Sequence, residues 1–108
     1  MLRLVYLSTA TRDFSQTEID SLVTRAADKN AKLDITGVLA YNGRNFCQLL
    51  EGPPTVVRAL FDSIAQDPRH AGVKLIGEKS VEARKFPEWS MHRVRDLDFT
   101  QVTGAMDD

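Results

Sequence analysis

Phe46-Cys47-Gln48-Leu49-Leu50-Glu51-Gly52 reads as a buried strand with a glutamine at its centre. Strand alternation puts Phe46, Gln48 and Leu50 on one face and Cys47, Leu49 and Glu51 on the other. A face carrying Phe46 and Leu50 is a core face, so Gln48 points inward with them. A buried carboxamide left unpaired costs about 1–3 kcal/mol. The fold must therefore bring polar company to Gln48.

Working outward, Asn42-Gly43-Arg44 is a hairpin turn, with glycine taking a backbone conformation that other residues resist. Before it, Lys32 to Tyr41 is a mostly apolar strand containing Ile35, Val38, Leu39 and Tyr41. After Gly52, Pro53-Pro54 stops the strand and opens a helix, since the first helical positions need no amide donor. Val56, Val57, Leu60, Phe61 and Ile64 form that helix's apolar stripe, which ends near Gln66-Asp67-Pro68. At the start of the chain, Leu2 to Ser8 alternates as a strand, with Leu4, Tyr6 and Ser8 on one face and Arg3, Val5 and Leu7 on the other. Ser15-Gln16-Thr17-Glu18 has the capping-box spacing of a helix start. Ile19, Leu22, Val23, Ala26 and Ala27 then share one helical stripe, and the next position on it is Asn30. Beyond the loop from Asp67 to Gly72, Val73 to Val81 reads as a fourth strand and Trp89 to Val94 as a short fifth.

The order is βαββαββ, which predicts an α+β, ferredoxin-like domain: a mixed sheet with two helices on one face. Residues 1–95 make up the domain and residues 96–108 a short tail, in which Asp98-Phe99-Thr100-Gln101 can cap a helical turn. The opposite sheet face carries Val5, Leu7 and Leu49, and large apolar patches mark interaction surfaces. The tail is expected to be too small to hide that face, which predicts a homo-oligomer or a downstream protein partner there.

Composition narrows the classes. The 108 residues are 43% apolar and 27% charged with net charge -1, the profile of an ordinary globular domain. No basic stripe offers itself to a phosphate backbone, so nucleic acid is not an expected partner. The single cysteine, Cys47, rules out an internal disulfide, and His70 and His92 have no metal-ligand spacing. No apolar run approaches the roughly 18 residues of a membrane span, and no signal-peptide pattern opens the chain. A cytoplasmic location is the expectation.

Three polar side chains converge on the helix side of the sheet: Tyr6 from the first strand, Gln48 from the third and Asn30 from the first helix. Trp89 and Met91 share a parity on the last strand and are expected to face the same region. A phenol and two carboxamides offer donors and acceptors in adjustable orientations, which suits a planar heteroaromatic ligand between the helices. Bland readings stand beside this one. Tyr6, Trp89 and Met91 can be core residues, Asn30 a helix C-cap, and Gln48 part of a structural hydrogen-bond network.

Asn30, Ile35-Thr36-Gly37-Val38-Leu39, the Phe46–Gly52 stretch, Asp67-Pro68-Arg69-His70 and Arg84-Lys85-Phe86-Pro87-Glu88-Trp89-Ser90-Met91 together resemble the BLUF domains, blue-light sensors that use flavin. The resemblance runs from about Leu2 to Val94. It implies the same ferredoxin-like fold, with a non-covalent flavin ring between the helices: FAD, with FMN as the alternative. By the resemblance, Tyr6 and Gln48 are the photoactive pair, Asn30 binds the flavin's pyrimidine edge, and Trp89 and Met91 relay the signal. Lys29, Phe46 and Ile35 are further candidate cofactor contacts, and Arg69 or His70 approaches the ribityl-phosphate end.

The implied mechanism is transient transfer of an electron and a proton from Tyr6, relayed by Gln48. It leaves flavin and tyrosine restored but their hydrogen bonds rearranged and the absorption reversibly red-shifted. A sensor of this kind is not an enzyme. One rival is an acylphosphatase-like hydrolase, for which Thr9-Ala10-Thr11-Arg12 supplies no phosphate-cradling loop. The other is a light-insensitive flavin-binding or dimerisation module on the same fold.

Overall fold

The computed structural model describes residues 1–95 and 99–107. Its elements are β1 (Leu2–Ala10), α1 (Gln16–Lys32), β2 (Thr36–Tyr41), β3 (Asn45–Gly52), α2 (Pro54–Ala65), β4 (His70–Ser80), β5 (His92–Arg93) and α3 (Thr100–Gly104), followed by a 3-10 turn at Ala105–Asp107. The sheet order is β4-β1-β3-β2-β5, antiparallel throughout except for the parallel β2–β5 pair. This is the ferredoxin-like α+β arrangement with two main helices that the element order predicts. β3 lies at the centre between β1 and β2, which is why its sequence is apolar on both faces.

Helix α1 starts where the capping box places it. The Glu18 amide donates to Ser15 Oγ at 3.1 Å, and the Ser15 amide donates to Glu18 Oε1 at 3.0 Å. It ends later than the strand pattern suggests. The Ile35 amide reaches back to the Asn30 carbonyl at 3.0 Å around Asp34, whose φ of 59° is left-handed. Residues 32–35 are consumed in closing the helix, so β2 begins at Thr36 and not at Lys32. β4 in turn begins at His70, earlier than Val73, because Ala71 and His70 still pair with Thr9 and Ala10 across a register shift.

The last strand departs furthest from its predicted form. Gly37 donates to the Trp89 carbonyl at 2.8 Å, yet the next residue, Val38, pairs with His92. Ser90 and Met91 are looped out between adjacent partners, so the alternation that would put Trp89 and Met91 on one face is broken. Met91 is 6% exposed and faces the helix-side core, whereas Trp89 is 38% exposed.

Two cores flank the sheet. On the helix side, Leu4, Tyr6, Leu39, Phe46 and Leu50 pack with Ile19 of α1 and Val57 of α2. On the other, Val5, Val38, Ala40, Cys47 and Leu49 pack under Phe99, Val102 and Ala105. The tail expected to be too small therefore covers the centre of that face. It suffices because its three inward residues sit directly over the apolar centre, while a buried Arg3–Glu51 ion pair occupies part of the remainder. Asp98, assigned to the start of the tail's helical turn, lies outside the described residues.

Candidate functional site

The apolar stripes of α1 and α2 do not close on each other. Leu22 and Ala26 of α1, and Leu60 and Ile64 of α2, are only partly buried because they wall a cavity of about 310 Å³ between the helices. That volume is the scale of a small-molecule site. Its floor is Tyr6, Leu39, Phe46 and Gln48 from three adjacent strands. Lys29 and Asn30 stand on the α1 side, and Arg25, Asp67, Arg69 and His70 also line it.

Register sets the chemistry at the floor. Tyr6 lies directly across from Gln48, and Gln48 across from Leu39. The Tyr6 hydroxyl donates to Gln48 Oε1, and the Gln48 amide nitrogen donates to Met91 Sδ at 3.5 Å. Tyr6 is 3% exposed, and burial pushes its pKa well above the ordinary 10.0. Cys47 and Asp67 act in the same direction, and Arg69 opposes them. The phenol is thus held protonated, as a donor.

Asn30 is 2% exposed, and its side-chain nitrogen donates to the Ser90 carbonyl at 2.9 Å, tying α1 to the looped-out segment. The side chain of Asn30 is therefore not a helix cap; its carbonyl, accepting from the Leu33 and Ile35 amides, closes the helix end. His70 bridges Ser8 Oγ at 2.7 Å and the Ile64 carbonyl at 2.5 Å. A carbonyl only accepts, so Nε2 carries the proton. Arg69 is held by Asp67 through Nε at 2.9 and 3.0 Å, and that guanidinium lowers the Asp67 carboxyl to about 2.

Of the residues singled out in the sequence, Tyr6, Lys29, Asn30, Phe46, Gln48, Arg69 and His70 line one cavity, with Met91 against Gln48. Ile35 does not line it. Following the left-handed Asp34, it is turned into the core beneath the helix end. Trp89 is also outside, stacked on Phe86 at 5.5 Å and on His92 at 4.2 Å. Sequence reasoning passed over Arg25 and Ser63, and it read Leu22, Leu60 and Asp67 without assigning them to the cavity. Arg25 had a readable signal, since it stands one helical turn before Lys29 on the edge of the apolar stripe.

Residues 1–92 match the family described as BLUF, sensors of blue-light using FAD. The chain belongs to the BLUF family. It is 38% identical over 89 residues to the photoactivated adenylate cyclase subunit beta of Euglena longa, covering 82% of this chain but 10% of that one. Among solved structures, BlrB, a BLUF protein in its dark state, superposes with a TM-score of 0.82 at 31% identity, covering 98% of this chain and 80% of that one. Klebsiella pneumoniae BlrP1 with FMN and cyclic diGMP superposes at 0.80 with 38% identity, covering 88% and 26%.

The lining fits the flavin that BLUF domains take. Apolar helix walls form a slot for a flat ring, while Asn30, Gln48 and Tyr6 supply amide and phenol groups for its polar edge. Arg25, Lys29 and Arg69 bring positive charge to the lining, the last of them paired with Asp67. Among the described residues, no helix is long and apolar enough to cross a membrane.

Proposed function

We propose that this BLUF domain senses blue light by rearranging the hydrogen bonds of Tyr6, Gln48 and Met91. The observation that carries this is the direct bond from the Tyr6 hydroxyl to Gln48 Oε1 on the cavity floor, with the Gln48 amide nitrogen on Met91 Sδ. When bound, the flavin supplies blue-light absorption and an excited state able to accept an electron. Tyr6 is the electron donor, and its proton moves along the existing bond to Gln48 Oε1. An amide that gains a proton on oxygen must pass one on to the group that took the electron, either from nitrogen or from oxygen after turning over, and either change alters its donation to Met91. Return of the electron and of a proton restores Tyr6 at once, and what persists until it reverts in the dark is the rearranged hydrogen bonding of Gln48.

Asn30 and Lys29 hold the ring edge, Phe46 packs beside it, and Arg69 and His70 stand toward the ribityl-phosphate end. FAD is the proposed cofactor and FMN the alternative. Output passes through Met91 and Trp89 to a second copy or a downstream protein on the tail-covered side of the sheet. The domain itself carries out no catalysis. Absorption spectroscopy tests the proposal: flavin bands should shift reversibly to the red under blue light. Colourless protein that refuses reconstitution with FAD or FMN would overturn it.

A further inference from the structure

Glu51 is the second polar exception in β3, three residues beyond Gln48 and on the opposite face. It is 0% exposed. A buried carboxylate persists only where it is paired and hydrogen-bonded. Glu51 accepts from Arg3 Nε at 2.9 Å, from the Lys85 amide at 2.8 and 2.9 Å, and from the Phe86 amide at 2.9 Å. Arg3, itself buried, donates through Nη1 to the Ala105 carbonyl at 3.1 Å. One ion pair therefore joins the central strand to the β4–β5 connection and to the C-terminal segment over the second core. Between Gln48 and Glu51 the strand has little room to yield. β2 runs so close that a Cβ at Gly37 would lie 2.0 Å from the Leu49 carbonyl oxygen.

The same connection meets the site at its other end, through Met91 on Gln48 and the Ser90 carbonyl on Asn30. We infer that Glu51 is a positioning residue for light output. It anchors the connection at Lys85–Phe86 and passes a change at Gln48 through the sheet, by way of Arg3, to the C-terminal segment. The inference rests on the photosensory reading above.

Hydrogen exchange of the flavin-loaded protein, in darkness and under blue light, tests it. In the wild type, residues 85–91 and 99–107 should change protection on illumination. Glu51→Gln should keep its flavin and the full red shift but lose both light-dependent changes. Arg3→Met leaves the Glu51–amide bonds in place, so it should keep the change at 85–91 and lose that at 99–107. If Glu51→Gln does not fold, Arg3→Met decides; a light response retained at 99–107 overturns the inference. So does a Glu51→Gln protein whose protection falls equally in both states with the light–dark difference intact, the signature of a merely structural role. A red-shifting wild type with no change at either segment also overturns it. A wild type with no red shift removes the photosensory reading as well.

Discussion

Replacing Tyr6 and Gln48, singly and together, measures the bond on which the proposed photochemistry depends. Tyr6→Phe keeps the ring and its packing but strands Gln48 Oε1, whose residue is buried. Gln48→Leu strands the Tyr6 hydroxyl instead and also gives up the weaker contact to Met91. A buried polar group left unpaired costs about 1–3 kcal/mol. In a domain of this size that corresponds to a melting temperature lower by about 4–8 °C per kcal/mol. The double variant strands neither group, and apolar groups of matching shape can replace a buried pair almost neutrally. Its destabilisation should fall short of the sum of the singles by a coupling of about 1–2 kcal/mol, within the range for residues in direct contact. Urea unfolding in darkness with saturating FAD gives the stabilities, and illumination of the same samples gives the red shift, which should vanish in all three variants. Singles that add to within about 0.5 kcal/mol would mean that the bond does not couple the two side chains. A normal red shift in Tyr6→Phe would remove Tyr6 from the photochemistry.

Asn30→Ala removes the bond to the Ser90 carbonyl and a polar group of the cavity wall. The flavin-to-protein absorbance ratio should drop, and full occupancy with an unaltered spectrum would exclude a ligand role. The raised pKa of Tyr6 has a definite sign: the unfolded chain ionises this tyrosine first as pH rises past 10.0. Its contribution to stability is complete below that value and is lost as pH climbs toward the folded-state pKa. The red-shift amplitude should accordingly stay flat up to about pH 10, and a titration centred near 8 would contradict the buried, protonated phenol. Ser15→Ala breaks one half of the α1 capping box and should cost about 1 kcal/mol in thermal unfolding while leaving the spectrum unchanged.

The parts of the site that rest on local periodicity were legible in the sequence. Period-two alternation placed Tyr6, Phe46 and Gln48 on one face, and the capping box with its apolar stripe aimed Asn30 at that face. The parts that rest on distant partners were not. Arg3 and Ala105 are 102 positions apart, and no local pattern announces that a carbonyl near the end of the chain will accept from the first strand. The looped-out Ser90–Met91 depends on β2 pairing with both flanks of that segment, so a parity rule applied to residues 89–94 alone could not separate Trp89 from Met91. The tail was misjudged by length. Burial depends on which atoms sit over the apolar centre, and Phe99, Val102 and Ala105 suffice.

A central strand tolerates a polar side chain only where the fold supplies partners, and β3 has two such positions, Gln48 and Glu51, at an odd separation. Odd spacing sends them to opposite faces, so one rigid strand touches the cavity on one side and the Arg3 network on the other. Both reach into the same β4–β5 connection. The attachments differ in kind, and that difference gives the arrangement a direction. At Lys85 and Phe86, backbone amides point at a buried carboxylate, a charge-assisted contact that is costly to leave unmade. At Met91, a neutral amide meets a thioether, a weak and adaptable acceptor. On the proposed photochemistry, a change at Gln48 should loosen the Met91 end first, while the Glu51 end stays bonded and hands the change on to Arg3. The largest displacement is then expected between residues 87 and 91, the stretch in which Trp89 stands partly exposed on Phe86 and His92.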